Sequence, residues 1–383
     1  MPVDLTQEHP APIKYIDKEA DFAKACSVLA QKKVFAFDTE FDRFYREYGF
    51  KLSLIQIFDG EECLLIDPLA IKDLQPLWVL FEDPRICKVV YSCSEDIQIL
   101  KINGCNPGNI YDLQIAAKLC NYPANSLGDL IFKAFGIRPD KSHQKSNWRR
   151  RPLTPEQLLY AGNDVSRLLY FKDLFDKISA ERGVTGMIEE ENRACENIPV
   201  SEYKVKLSVA QKRKYDHTYQ KILLALLHWR NDVAMEYNVP PANIVSDSVL
   251  ESVIEDRGKF MEAPFGKGFS KKLGEDEKNK NKFLQLLQQV TGKYTPRAQP
   301  EKRPPPRFVK VKDEDSDKEF DRKYALLYNE IIGAYGTESG EFILRGFKKM
   351  VNSFSPQPDK MKTYQQGIID EACRKLGLDF GLK

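Results

Sequence analysis

A chain of 383 residues has room for two or three domains with separate cores, and its 42% hydrophobic and 30% charged residues strike an ordinary balance for a water-facing protein. The formal net charge is only +2, which excludes a global field that would draw the chain onto a polyanion, so nucleic-acid binding would have to come from local patches. The opening residues MPVDLTQEHP hold no apolar signal core and no later stretch approaches a membrane span; the expected setting is the cytoplasm, with no membrane partner.

Residues 18–30 (KEADFAKACSVLA) have helical apolar spacing, and VFAFD (34–38) is a strand-like run that ends on an acid. LSLIQIF (52–58) and CLLID (63–67) follow as two strands, with Asp59-Gly60 as the turn between them. A helix is expected over 74–82, a strand over KVVYS (88–92), and a helix over SEDIQILKI (94–102) with Ser94 as its N-cap. Strands alternating with helices predict an α/β fold up to about residue 180. From Thr154-Pro155, an N-cap and first-turn pair, the pattern becomes helical almost throughout. The Gly- and Lys-rich stretch 264–282 interrupts it, and the Pro-rich, charged segment 298–319 has linker composition. The expected fold class is therefore α/β then all-α: an α/β domain over 1–195, a helical domain over 210–295, a linker over 296–319, and a helical region over 320–383. Eight scattered cysteines with no Cys-x-x-Cys pair read as small buried hydrophobes rather than a zinc framework.

The informative feature is acids placed on elements that ought to be apolar. Asp38 and Glu40 end the first strand, and two residues apart on a strand means one face. Asp96 opens the helix after KVVYS and reaches the same spot if that strand neighbours the first. Asp164 sits in the apolar helix LLYAGNDVSRLL, one turn from Tyr160 on a single face. Taken singly, these residues also suit turns, first-turn dipole acids or a buried hydrogen-bonded pair; their joint order and setting point to chemistry. Four carboxylates within ~5 Å repel by roughly 3 kcal/mol per pair at an effective dielectric near ~20. An all-oxygen donor set favours hard ions, Mg2+ or Mn2+, and two of them suit phosphodiester hydrolysis. Tyr160 would accept from, or orient, the attacking water.

FAFDTEF, KVVYSCSEDIQIL and LLYAGNDV, in that order, resemble the three motifs of the DEDDy exonucleases, and HQKSNWRRRPLTPEQLLYAGNDVSRLLY (143–170) resembles the ribonuclease D family in particular. The resemblance spans about residues 15–180. It implies a ribonuclease H-like mixed-sheet domain, 3′→5′ hydrolysis that releases nucleoside 5′-monophosphates, Asp38, Glu40, Asp96 and Asp164 as ligands of two metal ions, and Tyr160 as the water-orienting group. Asp112 matches a family acid but is assigned here to helix capping. Three departures stand out: Tyr91-Ser92-Cys93 in the second motif, Gly162 within the third-motif helix, and Asn147 before the tryptophan. The block LLALLHWRNDVAMEYNVPPANIVSDSVLESVI (223–254) resembles the helicase-and-RNase-D C-terminal (HRDC) domain, with Ser246 or Asp247 capping a helix and Lys212, Arg213 and Lys214 as candidate contacts. Residues 320–383 could hold a degenerate second copy.

Between Lys141 and Arg151 five cations accompany a tryptophan without any carboxylate, the chemistry of single-strand binding. Lys145, Trp148, Arg149, Arg150 and Arg151 are the expected nucleic-acid contacts; Phe41, with Arg43, Tyr45 and Tyr48, would wedge or stack terminal bases. The expected partner is an RNA 3′ end, such as the single-stranded tail of a tRNA precursor, with no nucleotide cofactor. A Werner-type 3′→5′ DNA exonuclease would use the same acids, and a catalytically silent nucleic-acid-binding scaffold is the third reading.

Overall fold

The four expected strands, joined by two that the sequence did not mark, at Ile13–Ile16 and Ile110–Asp112, assemble into one six-stranded sheet in the order β1-β4-β3-β2-β5-β6. The computed structural model describes residues 4–7, 10–44, 46–200, 205–288, 314–351 and 361–380. In chain order the sheet domain runs β1 (Ile13–Ile16), α1 (Glu19–Leu29), β2 (Val34–Arg43), β3 (Phe50–Phe58), β4 (Cys63–Ile66), α2 (Gln75–Glu82), β5 (Cys87–Val90), α3 (Ser94–Ile102), β6 (Ile110–Asp112), α4 (Leu113–Leu119), α5 (Leu127–Phe135), α6 (Pro155–Val165), α7 (Leu168–Arg182) and α8 (Thr185–Glu196). β1 pairs parallel with β4, β3 antiparallel with β4, and β5 lies parallel between β2 and β6. The sheet is thus mixed, as a ribonuclease H-like fold requires.

Alternation along β2 sets the two faces. Phe35 and Phe37 are fully buried and meet Phe81 of α2 edge-on at 5.2 and 5.0 Å. Ala36 points the other way, into the core shared with α4, α6 and α7, and Asp38 and Glu40 continue its face. α6 begins with a full capping box, in which Thr154 and Gln157 satisfy each other's backbone N–H. Gly162 lets this helix lie on the sheet: a Cβ there would fall 2.6 Å from Ile13 Cδ1. The glycine that weakens the helix locally is what permits its packing.

The helices beyond residue 200 are α9 (Val209–Lys214), α10 (His217–Tyr237), α11 (Pro241–Ile244), α12 (Asp247–Glu255), α13 (Arg257–Glu262), α14 (Lys271–Gly274), α15 (Glu277–Leu287), α16 (Glu314–Tyr335), α17 (Thr337–Ile343), α18 (Phe347–Val351) and α19 (Thr363–Leu376). Described residues between 201 and 309, together with Asp42–Lys51, form one compact unit, and all others form a second. In the smaller unit Trp229 is buried, donates to Asn279 O at 3.0 Å and packs on Phe283. Arg230 donates to Val245 O and Asp247, and Ser246 caps α12. In the larger unit α16, α17 and α19 share the core of α4 and α7 through Leu327, Ile331, Ile343 and Ile369. The expected linker lies outside the described residues up to 313, and 314–319 are already the first turns of α16.

Candidate active site

Because β2 and β5 are adjacent and parallel, with Ala36 opposite Val89, Asp38 and the connection that follows Val90 emerge at the same sheet edge. That connection leads into α3, whose first turn carries Asp96. Thr39 fixes it there, donating from Oγ1 to Asp96 Oδ1 at 2.6 Å. α6 brings Asp164 to the same place, and the Tyr160 hydroxyl, one turn earlier, donates to its carboxylate. The sequence-predicted group of Asp38, Glu40, Asp96, Asp164 and Tyr160 is therefore brought together.

Burial and mutual repulsion both act on the proton affinities of these groups. Burial pushes the Asp38 carboxyl up to about 8, and the Asp164 charge adds to it. Glu40 is held well above the usual carboxylate range by burial, then by Asp38, Asp164 and Asp96. Asp96 is raised by burial and by Asp38, against the opposing Thr39 hydrogen bond. Burial lifts Asp164 to about 7, with the Tyr160 hydrogen bond pulling it down. The phenol of Tyr160 is raised by burial and then by three of these charges. These carboxylates are pressed together without enough positive charge to offset them. A cavity of about 260 Å³ is lined by Asp38, Tyr160 and Asp164 together with Tyr91, Lys141 and Gln144. A second cavity of about 200 Å³, which includes Arg138 and His143, also reaches Tyr160 and Asp164. The His143 ring stands edge-on to Tyr160 at 6.2 Å. A larger cavity of about 460 Å³, walled by α7 and α8, lies on other residues and contains none of the four acids.

Several expected contacts are placed elsewhere. Trp148 is only 4% exposed and packs with Leu54, Leu65 and Ala161 beneath Tyr160, so it is core and offers no face to a base. Arg151 forms a two-pronged ion pair with Asp67 at 2.6 and 2.7 Å and donates to Ser53 O, tying its loop to the sheet instead of meeting phosphate. Arg149 is half-buried and donates to Leu52 O, whereas Lys145 and Arg150 are exposed. Phe41 is half-buried at the end of β2. Tyr48 donates to Asn231 and packs on the core of the smaller unit, and Tyr45 lies outside the described residues. Lys214 is paired with Glu251 and Glu255. Ser94 is the first helical residue of α3 rather than its cap.

The anchor of that turn is Asp112, which caps α4 through Gln114 N and also accepts from Ser92 N and Cys93 N, each at 2.9 Å. The capping role was legible because Asp112 precedes the helical run LQIAAKL; its hold on the second motif was not. Thr39 carried no separate sequence signal, and Lys141 was read only as the first cation of the run that ends at Arg151. Among the described residues, three ligand atoms close to within 4.8 Å of one another at Cys93, Asp112 and Cys195, a group that the sequence did not suggest.

Residues 13–181 match the model of the 3′-5′ exonuclease family. Over roughly two thirds of its length the chain is similar to ribonuclease D, as its motifs implied. It is 33% identical to ribonuclease D of Shewanella sp. (strain ANA-3) over 258 residues, covering 65% of each chain. To ribonuclease D of Haemophilus influenzae it is 29% identical over 293 residues, covering 74% of this chain and 72% of that one. The fold matches the crystal structure of Escherichia coli RNase D with a TM-score of 0.67 at 23% identity, covering 95% of this chain and 98% of that one. No helix among the described residues is long and apolar enough to cross a membrane.

Proposed function

We propose that this protein is a divalent-metal-dependent 3′→5′ exoribonuclease that removes nucleoside 5′-monophosphates one at a time from RNA 3′ ends in the cytoplasm. The observation that carries the proposal is the meeting of four carboxylates, Asp96 buried and Asp38, Glu40 and Asp164 half-buried, beside a tyrosine in a segment that matches the 3′-5′ exonuclease family. The residues fit hard cations: the donors are all oxygen, and their raised proton affinities mark an excess of negative charge that Mg2+ or Mn2+ would offset. Asp38, Glu40, Asp96 and Asp164 would hold two such ions. When bound, these supply Lewis acidity to the scissile phosphate and lower the cost of making hydroxide from water.

The chain's own residues do the rest. Tyr160 stays a neutral phenol at physiological pH, because burial and neighbouring anions oppose its ionisation. It serves as an orienting group, its proton committed to Asp164 and its oxygen lone pairs free to accept from the attacking water. Water adds to the terminal phosphorus, the bond from phosphorus to the 3′-oxygen of the preceding nucleotide breaks, and that oxygen takes up a proton. Lys141 and Gln144, which line the same cavity as Tyr160, would hold the terminal nucleotide. Exposed Lys145 and Arg150 would meet the backbone behind it. The helical unit around Trp229 would act as an HRDC-type nucleic-acid module, with Lys212 and Arg213 as its contacts.

RNA is preferred over DNA because the relatives are ribonucleases, and the Escherichia coli relative is described as an exoribonuclease involved in structured RNA processing. Trimming of tRNA or similar 3′ ends follows as the expected role. Matched RNA and DNA single strands, each with a free or blocked 3′ end, test this in Mg2+. The expected result is release of 5′-monophosphates from free-ended RNA alone, with loss of release in Asp38→Ala or in excess chelator. Equal turnover in chelator would overturn the metal assignment, and faster turnover of DNA would overturn the substrate.

A further inference from the structure

Cys93 and Cys195 lie 102 positions apart in sequence, yet their sulfur atoms fall within 4.8 Å of each other and of the Asp112 carboxylate. Cys93 is buried in the connection between β5 and α3, and Cys195 is half-buried near the end of α8. The Cys195 thiol donates to Glu191 O at 3.6 Å, and its interaction with Cys93 holds the Cys195 thiol below its ordinary range and pushes Cys93 up. The pair is asymmetric: Cys195 is the readier nucleophile and the better exposed, and Cys93 is the resolving thiol behind it.

A metal ion is the other occupant such a group could take, and the hydrogen bonding disfavours it. Asp112 already accepts three backbone N–H groups, from Ser92 and Gln114 on Oδ1 and from Cys93 on Oδ2. As the cap of α4 it is committed, and among the described residues the group has no fourth protein ligand. A structural zinc site would want four.

We propose that Cys93 and Cys195 form a reversible disulfide under peroxide, and that this bond slows the nuclease by displacing the turn that carries Asp96. The Cys195 thiolate attacks one peroxide oxygen, the O–O bond breaks, and water leaves after protonation, giving a sulfenic acid. Cys93 sulfur then attacks the Cys195 sulfur, the S–O bond breaks, and a second water carries off the thiol proton. Two thiols and one hydrogen peroxide become one disulfide and two waters. Closing the sulfurs to the bonded distance of about 2 Å draws the two segments together. Cys93 lies three residues before Asp96 in a turn that starts at Ser92, whose backbone stands at φ 63 in the left-handed region, so a shift at Cys93 acts on Asp96 against the hold of Asp112 and Thr39. Displacements of about 1 Å at a catalytic group can cost on the order of 100-fold in rate.

The test uses the full chain, fully reduced and then treated with one equivalent of hydrogen peroxide. Peptide mass mapping should find residues 93 and 195 joined, with two thiols and 2 Da lost (one hydrogen from each thiol). Nucleotide release should fall at least about 10-fold and return with dithiothreitol, whereas Cys195→Ser and Cys195→Ala should keep their release under the same treatment. The activity arm rests on the nuclease reading, but the peptide map does not. A reduced protein that releases no nucleotide would sink the nuclease reading and leave the thiol pairing standing on the map. Absence of the joined peptide, unchanged release by the joined form, or one equivalent of zinc in the purified protein that shields both thiols would each overturn the proposal.

Discussion

Asp38→Asn separates a charge-crowded site from a merely polar one. Asp38 ionises near 3.8 in an unfolded chain and near 8 in the folded protein, so between those limits folding takes up a proton that the unfolded chain has released. The sign follows: this carboxyl costs nothing below pH ~4, costs more as pH rises toward ~8, and levels off beyond. From pH 5 to pH 8 the ceiling is about 3 pH units at ~1.4 kcal/mol each, or ~4 kcal/mol. Asp164 raises Asp38 and relaxes when Asp38 is neutral, so sharing of that relief brings the expected change nearer ~2 kcal/mol, or ~4 °C in melting temperature. Asparagine keeps the shape and removes the charge. In chelator, the melting temperature of Asp38→Asn minus that of the native chain should therefore be positive and grow with pH. In millimolar Mg2+ the difference should shrink or reverse, because ions that bind only the folded site stabilise the native chain. A difference that stays flat from pH 5 to pH 8 in chelator would show that Asp38 carries no raised proton affinity, and the crowded-site reasoning would fail.

Tyr160→Phe should leave KM within a factor of about two and lower kcat by ~10² or more; an unchanged kcat in single-turnover assays would remove the tyrosine from water positioning. Arg150→Ala should reduce the salt dependence of RNA binding by about one unit of log slope, while Arg151→Ala should instead cost ~3–5 kcal/mol by leaving Asp67 unpaired; titrations and denaturant melts read the two apart. Gly162→Ala should destabilise by ~1–3 kcal/mol despite alanine's better helix propensity, because its Cβ would meet Ile13, and adding Ile13→Val should recover part of the loss; no recovery would place the strain elsewhere.

Fold and acid site were legible for one reason: local chemistry and hydrophobic period agreed. Val34 to Asp38 is a strand by composition, and an acid pair two apart on its end can only share a face. Asp164 was visible because a charge stood in an apolar helix one turn from a tyrosine. The cationic run was misread in part because charge says nothing about burial. Trp148 sits between exposed Lys145 and Arg150 and Arg151 follows directly, and only the fold shows that Asp67, 84 residues earlier, claims the Arg151 guanidinium. Thr39 stands between two acids with no signal of its own, yet it holds the third. Gly162 counted as a defect on propensity alone because its packing partner, Ile13, is remote in sequence.

The last helices show the same limit and explain what the site rests on. Helix α4 is seven residues long, and Leu113, Ala116, Ala117 and Leu119 are all buried, so its apolar surface needs cover on more than one side. α7 and α8 supply part of that cover, and α17 supplies more, with Glu338 paired to Lys118. Glu190 accepts from Thr363 N, and Glu191 takes both the Tyr364 hydroxyl and Arg345, so α8 is bound to α19 as well. These attachments matter because α4 is capped by Asp112, which also holds Ser92 and Cys93 at the base of the turn that carries Asp96. A cluster of mutually repelling carboxylates spends stability, and a scaffold that must keep it together needs burial elsewhere. In this chain the helices after residue 314 provide it, on the far side of the helix whose cap positions the third acid.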